Sequence, residues 1–215
     1  MRSPSIRVLL VDDHAVVRNG VRLMLGAAPE IRVIGEAATE RDALALVQAQ
    51  DFDVALVDIA LPGRSGLELL KRLRLECPRL AVLMLSMYSE DIYALRALKL
   101  GAAGYLTKDC PADSLIAAVR KAHAGGKYLS AQIVDQMVTR FSDAHVRPSG
   151  HQALTDRELE VLKLIVHGKS LASIAASLHL SPSTITTYRA RICKKLELGS
   201  NAEMTRYAME HSLLP

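Results

Sequence analysis

Five short apolar runs, alternating with one-sided helical segments, constrain the first half of this chain more than any other feature. The runs span residues 8–11, 31–35, 54–57, 81–85 and 104–106, each too short for a helix. Helical spacing of apolar residues marks 16–27, 40–49, 67–76, 91–100 and 112–124. Val17, Val21, Met24 and Leu25 share one face of the first, and Leu115, Ile116 and Val119 share one face of the last. Strands alternating with helices predict a doubly wound, five-stranded parallel α/β sheet with helices on both faces. A chain half apolar but only 4% aromatic, with no Trp, suits such a sheet better than a β-sandwich.

In an open parallel sheet, ligands bind in the crevice beyond the carboxyl ends of the strands. Asp12 and Asp13 follow the first run, Asp58 the third and Ser86 the fourth, and Lys108 lies just past the fifth. Each has a structural reading: Asp13 as a helix cap, Asp58 or Ser86 as a turn residue, Lys108 as a solvated surface group. Together they place three carboxylates, a hydroxyl and an ammonium on one edge. Crowded carboxylates repel, and a hard divalent cation such as Mg²⁺ relieves that repulsion while keeping positions for water and phosphate oxygens. Ser86 and Lys108 then remain to hold a phosphoryl group.

Other chemistries find little support. No Gly-rich dinucleotide fingerprint and no P-loop follows any strand. Cys77, Cys110 and Cys193 form neither a metal spacing nor a disulfide framework, so a reducing compartment is expected. The N-terminal apolar run stops at Asp12-Asp13, as a strand does and a signal peptide does not, and no run approaches membrane-spanning length. A cytoplasmic protein with no membrane partner is the expectation. The net charge of +4 is too small to establish a nucleic-acid partner by itself.

The stretches LLVDDH, VDIALPGRSGLELL, LMLSMY and GAAGYLTKD resemble the receiver domain of two-component response regulators, over roughly residues 5 to 125. The resemblance implies a CheY/flavodoxin-like fold with Asp58 as phospho-acceptor. It implies a Mg²⁺ site of Asp12, Asp13, Asp58 and the backbone carbonyl of Ala60. Ser86 becomes the switch hydroxyl, Tyr105 the switch aromatic and Lys108 the phosphate-pairing lysine. Physically, a carboxylate is a competent nucleophile towards phosphorus once a cation offsets the charge of the transferring group. The added negative charge then biases a two-state surface: Ser86 moves towards the phosphate and Tyr105 fills the space it leaves.

Gly125-Gly126 ends this first domain, assigned to 1–126. A linker, 127–150, follows; Ile133, Met137 and Phe141 at fourfold spacing predict a short helix over 130–142, and Arg147-Pro148-Ser149-Gly150-His151 predicts a flexible stretch. Residues 151–215 carry no strand signals and predict a small all-α four-helix domain. Thr155 with Glu158 reads as a capping box before a helix burying Leu159, Leu162, Ile165 and Val166. A short helix, 171–178, and the turn His179-Leu180-Ser181 lead to a third helix capped by Ser181 with Pro182 at its first position, a helix-turn-helix. On a wheel, Ile185, Tyr188, Ile192 and Leu196 face inward. Ser183, Thr187, Ala190 and Lys194 face outward, flanked by Thr186 and Arg191. Between Ser181 and Lys195 stand four basic residues and no acid, a face suited to phosphates.

The stretch LTDRELEVLKLIVHGKSLASIAASLHLSPSTITTYRARICKKLEL resembles the LuxR-type DNA-binding domain, so the chain is similar to the NarL/FixJ response regulators as a whole. Two positions depart: the family commonly has lysine at Thr186 and histidine at Tyr188. Base reading is therefore expected from Thr186, Thr187 and Ala190, with Ser183 on the same face, and phosphate contacts from Arg189, Arg191, Lys194 and Lys195. The implied partners are a sensor histidine kinase, promoter DNA, a second copy of the chain and RNA polymerase. Two other readings fit the acid cluster less well. A phosphohydrolase would need a substrate pocket and a second acid or base, and a purely dimerising receiver would not need all five site residues.

Overall fold

The computed structural model describes residues 5–62, 65–88, 90–142, 150–178, 180–211 and 213–214. Five strands, β1 (Ile6–Val11), β2 (Ile31–Ala37), β3 (Val54–Asp58), β4 (Ala81–Ser86) and β5 (Gly104–Thr107), form one sheet in the order β2-β1-β3-β4-β5, with every pairing parallel. Helices α1 (Ala15–Gly26), α2 (Glu40–Ala49), α3 (Gly66–Glu76), α4 (Glu90–Lys99) and α5 (Ala112–His123) connect and follow them. Each expected element is present, with boundaries within two residues of expectation.

Burial explains the sequence texture. Central strand β3 is buried at every position, which is why it reads as a continuous apolar run. Edge strand β2 alternates buried and exposed residues and reads as mixed. Val8, Leu10, Leu56, Leu83 and Leu106 share a core with Leu25 of α1 and Leu115 and Val119 of α5. The strands also end later than their apolar runs suggest: β3 ends on Asp58 itself and β4 on Ser86, since both remain paired to the neighbouring strand.

The chain does not leave the sheet at Gly126. Tyr128 N–H donates to Ala103 O at 2.7 Å, and Tyr128 forms a parallel bridge to Gly104. Ser130 donates its hydroxyl to Glu90 of α4. Residues assigned to a linker from 127 onward thus begin as part of the receiver fabric, because a backbone edge next to β5 satisfies their hydrogen bonds. Helix α6 (Ala131–Ser142) follows, with Ile133 fully buried. The side chain of Phe141 and residues 147–149 lie outside the described residues. The chain divides into two compact units between Val138 and Thr139.

From Gly150 the described residues of the second unit form a 3₁₀ turn (Gly150–Ala153), then α7 (Asp156–Val166), α8 (Leu171–Ser177), α9 (Pro182–Leu196) and α10 (Asn201–Glu210), with no strand among them. The capping box is formed: Glu158 N–H donates to Thr155 Oγ1 at 3.3 Å and Thr155 N–H to Glu158 Oε2 at 2.8 Å. Leu159, Val161, Leu162 and Ile165 are buried. Val166, expected inside, is half-buried, and Val161 takes its place because α7 contacts both α9 and α10 and needs a wider apolar face. Ser181 caps α9, accepting from Thr184 N–H at 3.2 Å, with Pro182 at the first position. His179, placed in the expected turn, lies outside the described residues.

Candidate functional sites

The first site forms at the point where strand order reverses. Val11 pairs with Val57, so the next residues stand side by side: Asp12 just past the end of β1, and Asp58 as the last residue of β3. Both side chains are only 1% exposed. Lys108 is held there by its own N–H, which donates to Ser86 O at 2.8 Å as β5 runs on beside β4. Its ammonium lies 2.7 Å from Asp58 Oδ2 and 2.6 Å from Asp12 Oδ2. The contact to Asp12 is an ion pair without hydrogen-bond alignment, and Asp12 Oδ2 has no hydrogen-bond partner among the described residues. Asp58 Oδ1 accepts from Ala60 N–H at 3.2 Å.

One ammonium therefore faces two buried carboxylates, with Asp13 at the rim. Burial pushes the Asp58 carboxyl above its ordinary range, opposed by the hydrogen bond from Lys108. Burial works against the Lys108 charge, but its contacts with Asp12 and Asp58 outweigh that and hold the ammonium above its usual value. His14 completes the cluster and was not singled out in the sequence. Its N–H donates to Asp12 Oδ1 at 2.8 Å, and its Nδ1 lies 2.8 Å from Asp13 Oδ1. Ligand atoms of Asp12, Asp13, His14 and Asp58 all lie within 4.8 Å of one another. Its place immediately after the acid pair was the available signal.

Ser86 and Tyr105 are fully buried beside this cluster. Ser86 Oγ accepts from Tyr88 N–H at 3.2 Å, and Tyr105 donates its hydroxyl to Tyr88 O at 2.7 Å. Burial pushes the Tyr105 phenol well above its ordinary range. Tyr105 is fully buried, its hydroxyl tied to Tyr88, the residue whose N–H is held by Ser86.

The second site is the outer face of α9. Ser183, Thr186, Thr187, Ala190, Arg191 and Lys194 are exposed, while Ile185, Ile192 and Leu196 are buried. Tyr188, expected inward, is half-buried and lines a shallow surface groove with Ser183, Thr187 and Arg191, because its bulk reaches past the α9 core stripe. Two residues expected at phosphates are engaged within the domain. Lys195 Nζ lies 2.6 Å from Glu158 Oε2 and donates to Ala153 O at 3.1 Å. Arg189 Nε donates to Asn201 Oδ1 at 2.8 Å. Both stand to the sides of the outer face of α9, where the α7 and α10 starts lie within their reach. Burial would raise the Glu158 carboxyl, yet its bonds from Lys195 and Thr155 hold it below its ordinary value.

Among the described residues, no helix is long and apolar enough to cross a membrane. Known proteins resemble both sites in order. Residues 8–120 match the response regulator receiver domain family, and residues 152–208 match the bacterial regulatory proteins of the luxR family. Response regulator GacA of Pseudomonas protegens is 36% identical over 210 residues, covering 97% of this chain and 98% of its own. Response regulator UvrY of Escherichia coli K12 is 33% identical over 208 residues, covering 97% and 95%. Among solved structures, response regulator ChrA of a heme-sensing two-component system is 32% identical with a TM-score of 0.54, covering 99% of this chain and 100% of its own. RcsB of Salmonella enterica serovar Typhimurium, bound to a promoter in the presence of the phosphomimetic BeF3−, shares the fold with a TM-score of 0.73 at 23% identity, over 96% of this chain and 99% of its own. An acid-lined receiver followed by a basic helix-turn-helix, over nearly the full length of such relatives, makes this chain a response regulator of the NarL/FixJ type, a phosphorylation-dependent transcription regulator that binds DNA.

Proposed function

We propose that Asp58 is the residue that accepts the phosphoryl group, from a partner histidine kinase, and that the resulting charge controls how α9 engages promoter DNA. The supporting observation is the pairing of Asp58 with Lys108 beside Asp12 at the strand-order reversal. An Asp58 oxygen forms the new bond to phosphorus as the donor's bond to phosphorus breaks. Lys108 then moves its hydrogen bond from Asp58 to a phosphoryl oxygen, keeping a charge-assisted contact. Ser86 donates to another oxygen and gives up Tyr88 N–H, which loosens the loop that holds the Tyr105 hydroxyl.

The residues fit Mg²⁺. Two buried carboxylates and a rim acid outnumber the single ammonium, and the buried Asp12 Oδ2 lacks a hydrogen bond. Asp12, Asp13 and Asp58 would hold the ion, with the carbonyl of Ala60 as a further oxygen. Bound there, Mg²⁺ supplies neutralisation of charge on the transferring group. Ala60 has no group to orient an attacking water, so self-hydrolysis of the acyl phosphate is slow, and the receiver acts as an input port rather than a turnover enzyme. The receiver extends past Gly126 through Tyr128, and 151–215 binds DNA as a homodimer in the cytoplasm, with RNA polymerase as a further partner.

Incubation of the full chain with acetyl phosphate and Mg²⁺ is expected to add the mass of one phosphoryl group, and Asp58→Asn to add none. An unmodified wild type, or a modified Asn variant, rejects the assignment.

On α9, Thr186 and Thr187 donate their hydroxyls to Pro182 O and Ser183 O, each at 3.0 Å. Their protons are committed to the helix, which leaves lone pairs to accept from base amino groups and methyls to pack on thymine. Ser183 and Ala190 complete that reading face. Arg191 and Lys194 hold phosphates; Arg189 and Lys195 join them only by releasing Asn201 and Glu158. Lys194→Ala is expected to weaken binding to all sequences alike and to reduce the salt slope by about one. A changed base preference in a competition assay would overturn that role.

A further inference from the structure

At the opposite edge of the receiver, where the strands begin, the structure holds a cavity of about 510 Å³. Phe52, Ala81, Ala103 and Ala122 supply apolar lining, and the same cavity is lined by the cations Arg7, Arg74, Arg79 and Lys127 and by the carboxylates of Asp51 and Asp53. Arg7 is compensated: its guanidinium reaches Asp53 Oδ1 at 2.9 Å and Asp51 Oδ2 at 3.8 Å. No carboxylate among the described residues lies within ion-pair distance of Arg74, Arg79 or Lys127. Like charges brought together in this way cost stability unless an anion joins them.

Two of the three cations are fixed in place rather than free to turn away. Arg74 donates to Pro78 O at 3.0 Å, and Lys127 Nζ donates to Ala102 O at 2.5 Å and to Gly101 O at 3.3 Å. Gly101, at φ +96, packs against the Arg74 guanidinium; a Cβ there would stand 3.1 Å from its Nε. Burial and the neighbouring Arg74 push the Lys127 ammonium below its ordinary value, the expected response to an uncompensated cation pair. Cations already ordered around a concave, partly apolar cavity bind an anion with less entropic loss than free surface lysines do.

We propose that this cavity is a binding site for a small organic phosphate, its phosphate held by Arg74, Arg79 and Lys127 and its apolar part resting against Phe52. The site is independent of Asp58, which lies at the other end of β3, so its occupancy is a separate input to the receiver. Neither the metal cluster nor α9 contributes a residue to it.

The test is titration of the full chain with AMP and with pyrophosphate, read by backbone amide shifts. Both probes are expected to shift the amides of Ala81, Gly101, Gly126 and Lys127 together and saturably, and AMP more tightly because it also covers the apolar lining. Arg79→Ala, at an exposed residue with no ion pair, should leave the melting temperature unchanged and weaken AMP about fivefold, as loss of one screened charge predicts. Pyrophosphate binding as tight as AMP would reject the apolar subsite. Shifts confined to Asp12, Asp58 and α9, or no saturation at these amides, would reject the site altogether. The same affinity in Arg79→Ala would do so too.

Discussion

Replacement of Lys108 by alanine is expected to lower receiver stability by about 3–5 kcal/mol, the range for removing one partner of a buried ion pair. Asp12 and Asp58 are 1% exposed and share this one ammonium, itself 5% exposed. Without it, two carboxylates face each other out of water. The melting midpoint should fall by roughly 10 °C or more for a domain of this size. Added Mg²⁺ should raise the midpoint of the variant more than that of the wild type, because the ion replaces the lost charge. Acidification should also help the variant. Burial already raises the Asp58 carboxyl, and loss of Lys108 removes the principal opposing effect. The folded state then holds a proton that the unfolded state has released, so variant stability falls as pH rises through the carboxylate range. Thermal unfolding with and without Mg²⁺ measures both effects. A variant that melts with the wild type, or gains no more from Mg²⁺, would mean that Lys108 is not the counter-ion of the pair.

Gly66→Ala is expected to be as damaging, for a steric reason. A Cβ at Gly66 would lie 1.8 Å from Asp58 O, 2.8 Å from Asp58 C and 3.0 Å from Ile59 Cα, all backbone atoms at the end of β3. Gly66 N–H also donates to Ile59 O at 2.8 Å, so α3 starts directly against the strand that carries Asp58. Relief requires moving α3 or Asp58, at a cost on the order of 4 kcal/mol, with loss of phosphoryl uptake from acetyl phosphate. Gly20→Ala, inside α1 with nothing within 4 Å, is the matched control and should stabilise by up to about 1 kcal/mol. Urea unfolding of the pair gives the comparison; equal midpoints would show that the α3 start has room to spare.

How much of the site was legible depended on how local each residue's role is. Asp12, Asp58, Ser86 and Lys108 were readable because strand ends are visible as breaks in apolar runs, and parallel strands bring their carboxyl ends to one edge. His14 was missed although it follows the acid pair directly, because only the turn shows that its Nδ1 reaches Asp13. Lys195 and Arg189 were expected at phosphates for their charge, which says nothing of the neighbouring helices. Contacts with Glu158 on α7 and Asn201 on α10 set their positions instead. Tyr105 was placed on the right strand, but its depth and its bond to Tyr88 depend on how α4 and its loop close over β4 and β5.

The sequence by itself determined the alternation of strands and helices, the edge at which the acids gather and the basic outer face of α9. These follow from apolar periodicity and chain direction, which are written residue by residue. Only the tertiary structure decided which cations are bound to carboxylates and which are left over. Ion pairs form between residues distant in sequence, such as Lys108 with Asp12, and a charge is compensated or not according to what packs within a few ångströms of it. The same reason explains why Gly66 must be glycine and why three cations stand unpaired around the cavity at the far edge of the sheet.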